Sequence, residues 1–262
     1  WGATRLLRGQ PVEFVRETVD GLRLGGMNLA PFMAILGSLG IAINIVSVTG
    51  LAQKIAVNMV ILAGGVLIGV LFLGMVVSLL FGLGMPTPAA YVLVATILAP
   101  GIIEAGVPAL SAHMFVFYFA LLSALTPPVA LAVAIGVGIA GSDFIKTALE
   151  AMRLGGAAFV IPFVWIFNPE ILFWTFPNTL IVTGVLAVGI LALVSAAIGY
   201  NGHRTLTGWE RLLNAALFLV AAFVPAILSD GLAIPFQIVV AVLILLANWV
   251  VLPRIAALRP DI

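Results

Sequence analysis

The sequence contains no cysteine and very few charged residues, and both shortages limit what the protein can do. The lack of cysteine excludes disulfides, thiol catalysis and cysteine-ligated metal sites. Only 8% of the residues are charged and 63% are hydrophobic, with a mean hydropathy of +1.29. A soluble protein of this length needs far more polar surface. The composition therefore predicts a protein embedded in a lipid bilayer.

Charge is almost missing from one long stretch of the chain. Between Lys54 and Asp143 the only charged side chain is Glu104. Uninterrupted apolar runs of about 18 or more residues are typical of transmembrane helices, and the chain has several. The predicted fold class is an all-α, multi-pass membrane protein. The net charge of +1, without any basic run, gives no indication of a nucleic-acid partner.

Catalytic motifs are missing as well. The sequence has no H-E-x-x-H motif, no G-x-S-x-G motif and no pair of carboxylates inside an apolar run. The protein is therefore predicted not to be an enzyme.

The apolar runs divide the chain into three predicted parts. Residues 1–26 form an amphipathic segment that is expected to lie in the membrane interface. Residues 27–175 carry most of the apolar runs, the last at 157–175. Residues 176–262 form a C-terminal extension of about three transmembrane helices.

The basic residues predict the orientation in the membrane. If 107–141 crosses once as a broken helix, the N-terminal segment, residues 143–155, residues 200–211 and the C-terminus share one side. That side holds every Lys and Arg except Lys54, so it is predicted to be cytoplasmic. Residues 64–104 are either a re-entrant hairpin or two full spans, since both agree with this orientation.

Two segments resemble each other at an offset of 130 residues. They are "EFVRETVDGLRLGG" (13–26) and "DFIKTALEAMRLGG" (143–156). Transporters are often built from duplicated units that carry such surface helices. Chance convergence of two amphipathic helices is the alternative interpretation.

Two apolar segments are interrupted, at "GLGMPTPAAY" (82–91) and "SALTPPVALA" (123–132). Proline removes a backbone donor and breaks a helix, and glycine permits unusual dihedral angles. Non-helical backbone at membrane depth survives only where protein or a water-filled cavity satisfies it. A broken helix offers carbonyl oxygens to a cation and N–H groups to an anion. The two interruptions therefore predict an ion-coupled secondary transporter.

The side chains near the interruptions favour sodium over protons as the coupling ion. A proton relay usually needs Asp, Glu or His at membrane depth, but here Glu104 lies near a segment end and His113 stands alone. Hydroxyls from Thr87, Ser123 and Thr126 and backbone carbonyls suit a small hard cation. The alternative function is a structural or assembly membrane subunit without a transport site, for which two interruptions would have no use.

Three stretches carry a family resemblance: "GLGMPTPAAYVLVATILAPG", "AHMFVFYFALLSALTPPVALAVAIGVGIAGSD" and "RLGGAAFVIPFVWIFNPEIL". They resemble the DctM-like large permease subunit of TRAP (tripartite ATP-independent periplasmic) transporters, most closely the fused permeases that pair with TAXI-type binding proteins. The resemblance covers residues 13–175. Residues 176–262 are similar to the looser C-terminal extension of the TAXI-type permeases.

The resemblance implies an elevator-type fold of two inverted repeats, each with a helical hairpin and a broken helix. The chain would then be the C-terminal half of a permease. Residues 27–175 would be its second repeat, with a hairpin at about 64–104 and a broken helix at about 107–141. The implied function is sodium-driven uptake of a small organic anion, usually a carboxylate. A periplasmic TAXI-type binding protein would deliver it, and small-subunit transmembrane helices would bind the permease in the inner membrane of a bacterium or archaeon.

The resemblance also implies a site where 82–91 and 123–132 face each other. The sodium ion would be held mainly by backbone carbonyls, of Gly82, Gly84, Met85, Thr87, Thr126 and Val129. The substrate would contact Thr87, Ser123, Thr126, Pro127 and Pro128.

Overall fold

The structure is a computed structural model that describes residues 11–202, 204–228 and 230–248. Over these residues the chain forms helices joined by short turns, with no strand and one isolated bridge between Tyr200 and Thr205. The predicted all-α fold is confirmed.

Eleven α-helices follow one another along the described ranges. They are α1 (Pro11–Val48), α2 (Leu51–Leu62), α3 (Leu67–Gly82), α4 (Thr87–Glu104), α5 (Ala109–Leu122), α6 (Leu131–Ala140), α7 (Phe144–Leu154), α8 (Ile161–Phe167), α9 (Asn178–Ile198), α10 (Gly208–Phe223) and α11 (Asp230–Leu246). Short 3₁₀ turns lie at Ser123–Leu125, Gly156–Phe159, Pro169–Ile171 and Val224–Ile227.

The first compact unit of the chain contains α1 and extends to Leu51. Helix α1 has 38 residues, so it is about 57 Å long at 1.5 Å per residue. It continues through Gly25 and Gly26 without a break. The predicted interfacial segment, from residue 11 onward, and the predicted first span therefore belong to one helix. Residues 1–10 of that segment lie outside the described residues.

Three helical segments of the described ranges are long and apolar enough to cross a membrane: Phe14–Val48, Thr87–Glu104 and Asn178–Ile198. Helices α6 and α7 pass the same test together, although they meet at an angle of 119°. The other apolar helical stretches have 10–17 residues when adjoining 3₁₀ turns are counted with them. Together with the composition, these helices describe a polytopic membrane protein.

The second compact unit begins at Ala52, and small residues bring its first helices close together. A Cβ atom on Gly101 of α4 would lie 3.0 Å from the Cα of Ala56 in α2. The ring of Phe115 in α5 packs edge-on against Phe119 and against Phe163 of α8, with centroids 4.9 and 5.3 Å apart. These contacts fix α5, the helix that leads into the second interruption.

The apolar run 157–175, expected to be one membrane span, does not form a single long helix. It forms the seven-residue helix α8 between two 3₁₀ turns. Proline explains why the helix is short, because it has no N–H group and is best tolerated where a helix begins. Pro162 lies in the first turn of α8, and Pro169 opens the following 3₁₀ turn.

Two arginines from separate segments hold the C-terminal end of α9. The Arg211 side chain donates hydrogen bonds to the carbonyls of Ala196 and Ala197, at 2.7 and 3.1 Å. The Arg153 side chain donates to the carbonyl of Ile198, at 3.0 Å. Cations are favoured at a helix C-terminus, where carbonyls lack intrahelical partners. The basic segments 143–155 and 200–211 therefore lie together, which agrees with the predicted orientation.

Candidate functional site

The two interruptions of the apolar segments are in direct contact. Gly82, the last residue of α3, packs against Ser123: a Cβ atom on Gly82 would lie 2.7 Å from the Ser123 Cβ and 3.3 Å from the Ala120 carbonyl oxygen. Gly84 packs against Val129, with 3.8 Å from its ideal Cβ position to the Val129 Cγ1. The structure thus brings together two segments about 40 residues apart in sequence, which we call the tip (82–87) and the break (123–130).

The tip is a tight turn between α3 and α4. Gly84 has a φ of 74°, a left-handed conformation that favours glycine. The Met85 amide reaches the Gly82 carbonyl at 3.4 Å. Pro86 and Pro88 have no N–H group, so neither can donate a hydrogen bond to a carbonyl of the preceding turn. The turn therefore leaves several of its carbonyls to other partners.

The break stops one helix and starts another within eight residues. Helix α5 ends at Leu122, a 3₁₀ turn follows, and the Thr126 amide bonds to the Ser123 carbonyl at 3.1 Å. The peptide bond between Pro127 and Pro128 is cis. Helix α6 then begins at Leu131, after the break has turned the chain.

Ala130 is held in a left-handed conformation, with φ 38° and ψ 57°. For a residue with a Cβ atom this costs about 1 kcal/mol. Ala130 is completely buried and packs with Val133 and Ala148. Its amide donates to the Thr126 carbonyl at 3.1 Å. Packing and this hydrogen bond hold the strained residue in place, so the exit direction of α6 is fixed.

The hydroxyl groups of the break donate their protons to the preceding helix. Ser123 Oγ donates to the Ala120 carbonyl at 2.7 Å, and Thr126 Oγ1 donates to the Leu122 carbonyl at 3.0 Å. Each oxygen therefore keeps its lone pairs as an acceptor. Thr87 lies in the first turn of α4 and is half-buried.

Eight backbone carbonyls at the tip and the break accept no backbone amide within the described ranges. They belong to Leu83, Gly84, Met85, Ala124, Leu125, Pro127, Pro128 and Val129. Gly82 and Thr126, by contrast, each already accept one amide, although a carbonyl oxygen has a second lone pair. The site is therefore a cluster of neutral oxygens.

Acidic and imidazole ligands do not surround the site. No group of three or more His, Cys, Asp or Glu side chains that could hold a metal occurs among the residues the structure describes. The chemistry available at the tip and the break is that of carbonyl and hydroxyl oxygens, which suit hard cations.

Sequence reasoning missed one feature of this site, and it did not specify which atoms make the contact between the tip and the break. Nothing in the sequence around Ala130 signals a left-handed residue, because alanine is a strong helix former. The contact of Gly82 with Ser123 also depends on the tertiary fold, although glycine at the end of an apolar run is compatible with a close approach.

The comparisons with known proteins identify the family. The family model of the DctM component of the tripartite ATP-independent periplasmic transporter matches residues 14–180, which is more than half of the chain. Neither the search of curated proteins nor the search of solved structures finds a match. The matched range includes both the tip and the break. The chain therefore belongs to the DctM family and is a membrane permease component of a tripartite ATP-independent periplasmic transporter, not an enzyme.

Proposed function

We propose that this permease component couples the inward movement of sodium to the import of a small organic anion, usually a carboxylate. The observation that carries the proposal is the contact between the tip and the break, at Gly82 with Ser123 and at Gly84 with Val129. Two interruptions in one membrane protein can serve separate structural purposes, but two that adjoin offer their oxygens to one ion.

Three of the proposed sodium ligands are carbonyl oxygens that the two turns leave without amide partners. Gly84 and Met85 supply carbonyls from the tip, and Val129 supplies one from the break. Gly82, Thr87 and Thr126 complete the proposed set with second lone pairs and hydroxyl oxygens. Because these ligands are neutral, the bound ion brings a positive charge into a low-dielectric region, where it attracts an anion strongly.

The proposed substrate position follows from the same electrostatics. The first amides of α6, at Leu131, Ala132 and Val133, have no backbone acceptor within the described residues, and a helix N-terminus favours negative charge. Ser123, Thr126, Pro127 and Pro128 line the approach to these amides in our proposal. An anion bound there would neutralise the ion, which gives a physical reason for coupling the two.

The proposal includes the partners and the transport movement that family membership suggests. The DctM family implies a periplasmic binding protein and a small membrane subunit. We propose that the binding protein is of the TAXI type and delivers the anion. We further propose that tip and break move together, as one elevator-type body, in a cytoplasmic membrane.

Sodium binding tests the proposed site without knowledge of the substrate. The full permease is reconstituted in proteoliposomes, and radioactive sodium binding is measured for the wild type and for Thr126→Val and Thr87→Val. Each substitution keeps the side-chain shape and removes an oxygen, so sodium affinity should fall about tenfold for a lost ligand worth about 1.4 kcal/mol. Potassium should not compete.

Uptake of labelled small carboxylates, with the binding protein added outside, tests the transport function. Uptake should need an inward sodium gradient. Wild-type sodium affinity in both threonine variants would contradict the site. A permease that neither binds sodium nor supports uptake would instead be a structural or assembly subunit.

A further inference from the structure

A cavity of about 520 Å³ lies in the C-terminal part of the chain where α8, α9 and α11 meet. We call it the amide cavity, after Asn168, Asn178 and Gln237 in its wall. Glu170 and Thr175 also line it, and its apolar wall includes Phe167, Val182 and Ile234. A cavity of this size accommodates a small organic molecule or part of a larger one.

The hydrogen bonds of Asn168 fix the orientation of its amide. Asn168 is 2% exposed, and its Nδ2 donates to the carbonyls of Val164 and Ala222 at 3.0 and 2.8 Å. Only nitrogen can donate to a carbonyl, so Asn168 Oδ1 must face the other way. There it accepts a hydrogen bond of 2.8 Å from Gln237 Nε2.

The same reasoning fixes the Gln237 amide. Its Nε2 donates to Asn168 Oδ1 and also to the Ala221 carbonyl, at 3.3 Å, so both amide hydrogens are used. The remaining atom, Gln237 Oε1, accepts no hydrogen bond within the described part of the chain. Gln237 is 1% exposed and lines the amide cavity. Because Gln237 lines the cavity, a donor inside the cavity would pair with this free acceptor.

The charge of the lining shows which donor fits. Glu170 brings a carboxylate, and it takes part in none of the ion pairs among the described residues. None of the described residues that line the cavity is Lys, Arg or His. A ligand that donates hydrogen bonds and carries positive charge would satisfy both Gln237 Oε1 and Glu170, and the apolar wall would hold a short carbon chain.

We propose that the amide cavity binds a primary ammonium group, R–NH₃⁺, with Gln237 Oε1 accepting one of its hydrogen bonds and Glu170 balancing its charge. The ammonium group has two possible sources, which share this chemistry: a free organic amine, or the headgroup of phosphatidylethanolamine in the surrounding bilayer. This site is separate from the tip and the break, and it does not depend on the proposed sodium coupling.

Calorimetric titration of the full permease in phosphatidylglycerol nanodiscs tests the chemistry of the site. The probe is n-butylammonium chloride, and two matched probes accompany it. n-Butanol lacks the charge, and butyltrimethylammonium keeps the charge but has no N–H group. We expect saturable binding of n-butylammonium and at least tenfold weaker binding of both matched probes, since a charge-assisted hydrogen bond is worth about tenfold or more in affinity.

Two variants show whether the probe occupies this cavity. Glu170→Gln keeps the size of the side chain and removes the charge, so the affinity for n-butylammonium should fall about tenfold. Asn178→Ala at the first turn of α9 should weaken binding by a smaller factor. Glu104→Gln, which removes an exposed carboxylate at the end of α4, is the matched control and should bind like the wild type.

A second arm of the experiment distinguishes the sources. The permease is purified from phosphatidylethanolamine-containing membranes, and native mass spectrometry measures the lipid that stays bound. Retention of phosphatidylethanolamine by the wild type but not by Glu170→Gln assigns the site to the lipid headgroup. Binding of n-butylammonium without retained lipid assigns it to a free amine.

Either assignment supports the ammonium site. The proposal is overturned if n-butylammonium does not bind in phosphatidylglycerol nanodiscs and no phosphatidylethanolamine is retained. It is equally overturned if Glu170→Gln leaves the binding of both unchanged.

Discussion

Gly82 is the residue at which the tip and the break touch, and a single methyl group there tests their contact. In Gly82→Ala the new Cβ would lie 2.7 Å from the Ser123 Cβ, too close for two carbon atoms. The tip would have to move away from the break, so we expect sodium affinity in proteoliposomes to fall at least tenfold while the protein still folds.

Two further variants make the Gly82→Ala test specific. Gly138→Ala in α6 adds the same methyl group where nothing lies within 4 Å, so it should bind sodium like the wild type. In Gly82→Ala with Ser123→Gly the obstructing atoms are gone, and a large part of the affinity should return. Normal sodium binding by Gly82→Ala alone would show that the contact has no part in the site.

Glu210 makes the stability of the C-terminal part depend on pH. Its carboxylate accepts hydrogen bonds from Arg204 and, at 2.8 Å, from the Thr207 amide, and Glu210 is 8% exposed. The hydrogen bond from Arg204 lowers the pKa of Glu210 below its ordinary value of 4.5, although burial acts in the opposite direction. The charged form therefore stabilises the fold above pH 4.5, and this stabilisation is lost as the pH falls below 4.5 through the lowered pKa.

The melting temperature of the purified protein measures this effect. The wild type should lose melting temperature as the pH falls below 4.5, whereas Glu210→Gln should melt lower at pH 7 and lack that part of the pH dependence. Glu150→Gln is the control, because its pair with Arg153 is about half exposed and contributes little. A Glu210→Gln protein with the wild-type pH profile would refute the assignment.

At the scale of the elements, the sequence predicts where helices are interrupted better than how they continue. Tandem prolines place an interruption at 123–132, and the structure ends α5 at Leu122 and begins α6 at Leu131. Proline acts locally, through its missing N–H group and its ring, so its effect is visible in the sequence. The left-handed Ala130 depends on burial against Val133 and Ala148, which only the folded chain supplies.

The similar segments 13–26 and 143–156 also show that the sequence alone does not decide where a helix ends. In 143–156 the helix ends after Leu154, while in 13–26 the identical "RLGG" lies inside α1. The difference lies in their surroundings. The Arg153 side chain donates a hydrogen bond to the Ile198 carbonyl, and Ala148 is buried. The ideal Cβ position of Gly155 lies 4.0 Å from the Leu125 Cδ1, whereas nothing lies within 4 Å of that of Gly25. Glycine permits a helix to end, and tertiary contacts decide whether it does.

Replacing both prolines of the break tests whether the interruption itself is needed. In Pro127→Ala with Pro128→Ala, alanine would allow α5 and α6 to join into one helix, which would close the free carbonyls at 127–129. We expect a folded protein with unchanged helix content or slightly more by circular dichroism, but without sodium binding or uptake. Pro100→Ala, a proline inside α4 and away from the break, should retain both. Wild-type uptake by the double variant would contradict the need for a broken helix.

At the scale of the whole molecule, the absence of cysteine makes the orientation measurable with single cysteines. Ser142 lies between α6 and α7, Thr175 lies between α8 and α9, and both are exposed. The basic residues predict that 143–155 and 200–211 are cytoplasmic, and α9 would cross the membrane between 200–211 and Thr175. Ser142 is therefore expected on the cytoplasmic side and Thr175 on the outside, so Thr175→Cys should react with an impermeant maleimide in intact cells. Ser142→Cys should react only after the cells are opened. Labelling of both from the same side would contradict the broken crossing and the orientation derived from it.

The sequence predicted the class of fold, but it did not predict which distant residues pair in the folded chain. Composition and apolar runs predicted a polytopic helical membrane protein, because these depend on the solvent and not on partners. The pairing of Asn168 with Gln237 could not be predicted, since they are 69 residues apart and each is an ordinary polar residue in an apolar run. The contact of tip and break was expected from the family resemblance, and no local pattern specified which atoms would meet.

The C-terminal carbonyls of α9 accept hydrogen bonds from two arginine side chains that come from different parts of the chain. Arg211 arrives from the helix that follows, and Arg153 from a helix that precedes α9 by more than twenty residues. If either guanidinium is lost, the other still donates a hydrogen bond to the last carbonyls of α9. Both groups also keep their charge under all physiological conditions. Acidification protonates carboxylates and weakens their ion pairs, but it leaves these hydrogen bonds from arginine to backbone carbonyls intact.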